Sequence, residues 1–167
     1  MSVVVEDGTG LETANSYISL ADADTYHSDR GNATWAAAAS DAIRNAALIK
    51  AAQWLDGQYR SRWAGFRKTD DQALDWPRYD AYDSDGYYLA SDAVPVRITY
   101  AQAEAALAIV DGIELSPSLD RGGRVRREKV GPIETEYFDG APARTVLSAV
   151  SDLVKGYVSG PGLRISL

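Results

Sequence analysis

The stretch SDAIRNAALIKAAQWLDG, Ser40–Gly57, sets the fold class. Ser40 has the side chain of a helix N-cap, and the apolar positions Ile43, Ala47, Ala51, Trp54 and Leu55 then recur at helical spacing. Gly57 is the expected stop. Working outward, Ser19 repeats the cap signal, with Asp22 at the capping-box position and a short helix ending near Gly31. Downstream, Pro95 suits the first position of a third helix, whose face is Ile98, Ala101, Gln102, Ala105 and Ile109 and whose end is Gly112. A last helix over 146–158 carries Val146, Ala149, Val150, Leu153, Val154 and Tyr157.

The segments between these helices differ in character. Residues 1–17 read as irregular, and 58–92 as a loop inserted in a helical core that spans 18–112. In 113–145, Gly131-Pro132 between two β-prone runs predicts a hairpin or an extended arm. The tail 159–167 has two glycines flanking a proline and is expected to be flexible. The expectation is a single, mainly α domain: a bundle of about four helices, an inserted loop, a β arm before the last helix, and a tail.

Composition narrows the chemistry. The 167 residues include no cysteine, which excludes disulfides, thiol nucleophiles and thiolate metal sites. The start MSVVVEDGTG lacks the basic residues and length of a secretory signal, and no run is long and apolar enough to span a bilayer, so a soluble protein is expected. A net charge of −7 opposes sequence-independent DNA binding except through a local patch. Four Trp and ten Tyr lean towards association, since these rings join an apolar body to a polar handle.

No catalytic constellation emerges. His27 is the only histidine, and its neighbours Ser28 and Asp29 point to different helix faces, so it reads as a buried or helix-end residue. Asp83, Asp85, Gly86 and Asp92 fall at positions of a calcium loop, but Ala81 occupies the first place, and an Asp-Gly turn between Tyr79–Tyr82 and Tyr87–Leu89 fits better. Neither Asp70-Asp71 nor Glu134/Glu136 has a spacing that selects acid–base work. No enzyme activity, cofactor or metal is expected.

Two basic clusters remain. Arg60, Arg62, Arg67 and Lys68 alternate with Tyr59, Trp63 and Phe66, a pattern that suits a single-strand nucleic-acid groove but equally a bundle surface with aromatics inward and arginines outward. Arg121, Arg124, Arg126, Arg127 and Lys129 would put charge on both faces of a strand, which must then meet solvent, a partner or DNA.

Three stretches together resemble a known family: VEDGTGLETANSYISLADADTYHSDRGN (5–32), QALDWPR (72–78) followed by YDSDGYYL (82–89), and LDRGGRVRREKVGPIETEYFDGAPART (119–145). The resemblance runs from about Val5 to Tyr157. It is to the head–tail connector (adaptor, head completion) proteins of tailed bacteriophages, also described as "putative DnaT-like ssDNA-binding protein". It implies a structural virion protein, made in the host cytoplasm, whose copies form a ring, usually twelve-fold, beneath the portal protein. Such a ring links the capsid to a stopper or tail-completion protein, and genomic DNA passes through it without sequence-specific contacts. An acidic channel wall would let DNA slide. On this view the arm, with the basic cluster and Tyr137, contacts a neighbour or the next ring. The tail, with alternating Leu163, Ile165 and Leu167, would add as a strand to a portal edge. The alternative is a single-stranded DNA-binding accessory protein using Arg60–Lys68, with Trp63 stacking on bases.

Overall fold

The computed structural model describes residues 2–116, 127–130, 133–136 and 147–158. It is mainly helical: α1 (Leu20–Asp29), α2 (Ala33–Ala36), α3 (Asp41–Tyr59), α4 (Val96–Val110) and α5 (Ser148–Val154), the last followed by a 3-10 turn, Lys155–Tyr157. Two short antiparallel pairs complete it: β1 (Phe66–Arg67) with β2 (Arg78–Tyr79), and β3 (Arg127–Val130) with β4 (Ile133–Glu136).

The capping residues act where expected. The Ser19 hydroxyl accepts from the Asp22 amide at 3.1 Å and the Ser40 hydroxyl from Ile43 at 3.4 Å. Pro95, expected as the first helical residue, is instead the N-cap of α4, one position earlier, and Gly112, at φ +84, receives the chain in the left-handed conformation that terminates it. Gly57 does not stop α3. The helix continues through it to Tyr59, because burying Tyr59 against Trp63 outweighs the cost of a mid-helix glycine, about 1 kcal/mol. The one-turn α2, which places buried Trp35, was not anticipated, and the last helix is shorter than 146–158.

Helix α4 is the centre, packed between α3 and α5. Five of its alanines, Ala101, Ala103, Ala105, Ala106 and Ala108, are buried, and their small side chains let the neighbouring helices approach closely. Gln102, fully buried, satisfies its whole amide. Its Oε1 accepts from the Tyr17 amide at 2.7 Å, and its Nε2 donates to Ser16 Oγ (2.7 Å) and to the Leu48 carbonyl (2.9 Å). One polar side chain thus joins the N-terminal segment, α3 and α4. On α3 the buried residues are Ala47, Leu48, Ile49, Ala51, Ala52, Trp54, Leu55, Asp56 and Tyr59, whereas Ile43 is half-exposed. On α5, Val150 and Val154 face the core while Ala149 is exposed.

The hairpin expected around Gly131-Pro132 is present: Val130 pairs with Ile133, Lys129 with Glu134, and Arg127 with Glu136. It forms its own two-stranded sheet. Val146 and the tail 159–167 lie outside the described residues.

Candidate functional site

The segment from Arg60 to Leu89, expected to be a loop, is a small ribbon fixed from beneath. At its base lies a buried polar lock. Tyr17 Oη donates to Asp56 Oδ1 at 2.6 Å, and Asp56 Oδ2 accepts from the Asp75 amide at 3.0 Å. The Asp75 and Trp76 amides also reach the Tyr17 oxygen, at 3.0 and 3.2 Å. Burial, reinforced by the nearby Asp75 carboxylate, pushes Asp56 up to about 7. Burial and the Asp56 carboxylate push Tyr17 upward as well. Asp75 sits 3.1 Å from the Arg60 guanidinium, yet neither of its oxygens accepts a hydrogen bond among the described residues. The Arg60 contact is therefore one of charge and not of aligned donors.

Arg78 is the second fastener. Nearly buried, it donates from Nε to the Ala64 carbonyl (2.7 Å) and from its terminal nitrogens to Gly65 (2.7 Å) and Asp75 (3.1 Å). Gly65 makes this possible: it has φ +65, and a Cβ there would lie 2.4 Å from the Tyr79 carbonyl oxygen. Trp63 and Trp76 meet edge to face at 5.8 Å inside the same base. The QALDWPR motif is thus scaffold.

Pairing across the ribbon sets its two faces. Arg67 and Arg78 are partners on the inner side, while Phe66 and Tyr79 are partners on the outer side, with ring centroids 5.6 Å apart. Phe66 is 58% exposed and Tyr79 48%. Beyond them the chain forms the expected turn: Asp83 accepts from the Asp85 and Tyr87 amides, and the bridge Tyr82–Tyr88 brings two more exposed rings to 5.5 Å. Tyr87 is exposed as well. The Asp83 carboxylate is thereby committed to the turn. Five aromatic rings of this segment are thus exposed: the Phe66–Tyr79 pair, which forms an outer ledge on the ribbon, the Tyr82–Tyr88 pair, and Tyr87.

The basic residues around it serve unequally. Arg67 donates to the carbonyls of Gln72 and Asp70, both at 3.1 Å, and Lys68 Nζ to that of Gly8 at 2.8 Å. Arg60 and Arg62 keep exposed side chains, Arg62 lying 5.4 Å from the Tyr59 ring. Of the three aromatics in the sequence pattern, Tyr59 and Trp63 are buried and Phe66 points out. Trp63 cannot stack on a base.

The other candidates disperse. His27 is buried, stacked on Trp35 at 4.5 Å and in contact with Asn32 Nδ2 through Nδ1 at 3.0 Å, and burial lowers its pKa. Ser28 and Asp29 lie exposed beside it. Arg127 and Lys129 fall on β3 with Glu136 and Glu134 as register partners. Arg121, Arg124, Arg126, Tyr137, Leu163, Ile165 and Leu167 lie outside the described residues. What sequence reasoning missed is the outer ledge. Its one advance signal was the tyrosine density of residues 79–88.

Fold and site together define a small helical protein that displays aromatic rings on a rigid ribbon. Over residues 1–167 the chain matches the family described as "Putative DnaT-like ssDNA binding protein", and it belongs to that family. No curated protein and no solved structure matches it.

Proposed function

We propose that this protein binds single-stranded DNA along the aromatic ledge, without catalysing a reaction on it. The observation that carries this reading is the Phe66–Tyr79 ring pair, half-exposed and held in place by a buried scaffold. Bases stack on such rings with little sequence preference, each contributing about 1–3 kcal/mol, and a preformed platform avoids the entropy of ordering it. Arg60 and Arg62, exposed and a few residues before Phe66 in the chain, would supply cationic charge within a chain that is acidic overall. Tyr82 and Tyr88 extend the track. The test is fluorescence anisotropy of a labelled oligothymidine at low salt. Replacing Phe66 and Tyr79 together by Ala should weaken binding at least tenfold while Trp63 emission stays the same in every complex. Undiminished binding by that variant would sink the proposal.

A second reading, the head–tail adaptor, draws on the β3–β4 hairpin. It pairs only with itself, which leaves main-chain edges among the described residues for a neighbour to extend. Here the chain is a virion component whose partners are the portal, the stopper and other copies in a ring. Native mass spectrometry with the portal ring of the same phage would give one adaptor per portal subunit. Reversing Arg124, Arg126 and Arg127 to Glu would abolish that complex, and an unchanged complex would count against the arm.

A further inference from the structure

Away from the ledge, α1 and the first two turns of α4 border a groove of about 340 Å³. Asp22, Tyr26 and Asp29 of α1 line it, as do Val96 and Tyr100 of α4 and Val5 of the N-terminal segment. Val5 brings an open strand edge. It forms a parallel bridge with Ser16 in which its neighbours make the bonds: the Val4 carbonyl accepts from the Asn15 amide and the Glu6 amide donates to the Ser16 carbonyl, both at 2.9 Å. The N–H and C=O of Val5 itself face the other way, and neither makes a main-chain hydrogen bond among the described residues. Free main-chain groups beside an apolar groove are what a strand-adding peptide uses.

Charge selects the peptide. The Asp22 carboxylate accepts only the Ser19 hydroxyl, at 2.6 Å, and that of Asp29 has no partner among the described residues. Arg30, the cation among the lining residues, is already committed: its guanidinium lies 3.6 Å from the Tyr26 ring centroid and donates to the Tyr26 carbonyl at 3.1 Å. It also lies 5.4 Å from the Tyr100 centroid, so these two rings suit a guanidinium. Two uncompensated carboxylates disfavour a phosphate backbone here. We propose that this groove receives an extended, arginine-bearing segment of a partner protein, which adds as a strand along Val5 and sets its cations against Asp22 and Asp29. The spacing agrees: the two acids are about 10 Å apart along α1, and arginines at alternate positions of a strand recur about every 7 Å, so three of them span that distance. Their apolar stems would cover Tyr100 and Val96, which is 56% exposed although it opens the central helix.

The test is fluorescence anisotropy of a labelled Arg-Val-Arg-Val-Arg peptide titrated with the full-length protein at low salt. Saturable binding is expected. Asp22→Asn combined with Asp29→Lys should weaken it about fivefold or more, the effect of two exposed ion pairs, and Asn at 22 keeps an acceptor for the Ser19 hydroxyl. N-methylating the amides of the peptide removes its strand donors and should weaken binding to the unaltered protein about tenfold. The Phe66→Ala/Tyr79→Ala variant should bind the peptide as the unaltered protein does. No binding of the peptide overturns the proposal, and so does undiminished binding by the Asp22/Asp29 variant. Equal binding of the methylated peptide overturns strand addition, and loss of binding in the Phe66/Tyr79 variant moves the peptide to the ledge and overturns the groove.

Discussion

Asp56 carries a charge question that the fold answers in an unusual place. Its carboxylate is buried, and beside Asp75, which together outweigh the opposing hydrogen bond from the Tyr17 hydroxyl, so the folded protein holds its proton up to about pH 7, far above an ordinary aspartate. Between the ordinary value and about 7 the folded state binds more protons than the unfolded one, and Asp56 therefore makes stability fall as pH rises through that interval. His27 works in the opposite sense. Its lowered value means that acid protonates the unfolded chain first, so its contribution is lost as pH falls. The two can be separated by substitution. The melting temperature of Asp56→Asn relative to wild type should climb from pH 5 to pH 8, and a constant difference would show that Asp56 does not titrate there.

At the scale of the element, the ribbon depends on a backbone conformation as much as on side chains. Gly65→Ala puts a methyl group against the Tyr79 carbonyl at a positive φ. The expected cost exceeds about 1 kcal/mol, because the substitution adds a collision to the conformational strain. Circular dichroism should show the helices kept and the melting point lowered. Oligonucleotide affinity should fall with it, since Phe66 and Tyr79 lose their pairing. An unaltered melting point would mean that the ribbon adjusts. The helices themselves rest on their caps: Ser40→Ala should cost about 1 kcal/mol in chemical denaturation, through loss of the bond to the Ile43 amide.

Across the whole molecule, charge decides how any strand could be held. With a net charge of −7, the protein as a whole repels a phosphate backbone, and a strand on the proposed surface would find few cations, the exposed Arg60 and Arg62 among them. The logarithm of affinity should therefore fall with the logarithm of salt at a shallow slope, of magnitude about 2 or below, as expected for one to three phosphate contacts with single strands. A slope of several units would place the strand on the basic cluster 121–129 instead. Titrations from 20 to 200 mM salt, roughly a Debye length of 20 Å down to 7 Å, would read it.

Local signals determined much of this protein without any fold. Ser19 and Ser40 cap their helices, Gly112 closes α4, the Asp-Gly turn forms at 83–86, and the chain reverses between Val130 and Ile133. Each of these rests on chemistry within a few residues, and such chemistry is written in order along the chain. Tertiary structure alone decided which aromatics face out. Trp63 and Phe66 sit three residues apart in one basic-aromatic run, yet Trp63 is sealed against Trp76 and Phe66 is open to solvent. The lock that causes this joins Tyr17 to Asp56 and Asp75 across separations of 39 and 58 residues. No periodicity records such a meeting, because it exists only once α3, the N-terminal segment and the ribbon have packed against one another.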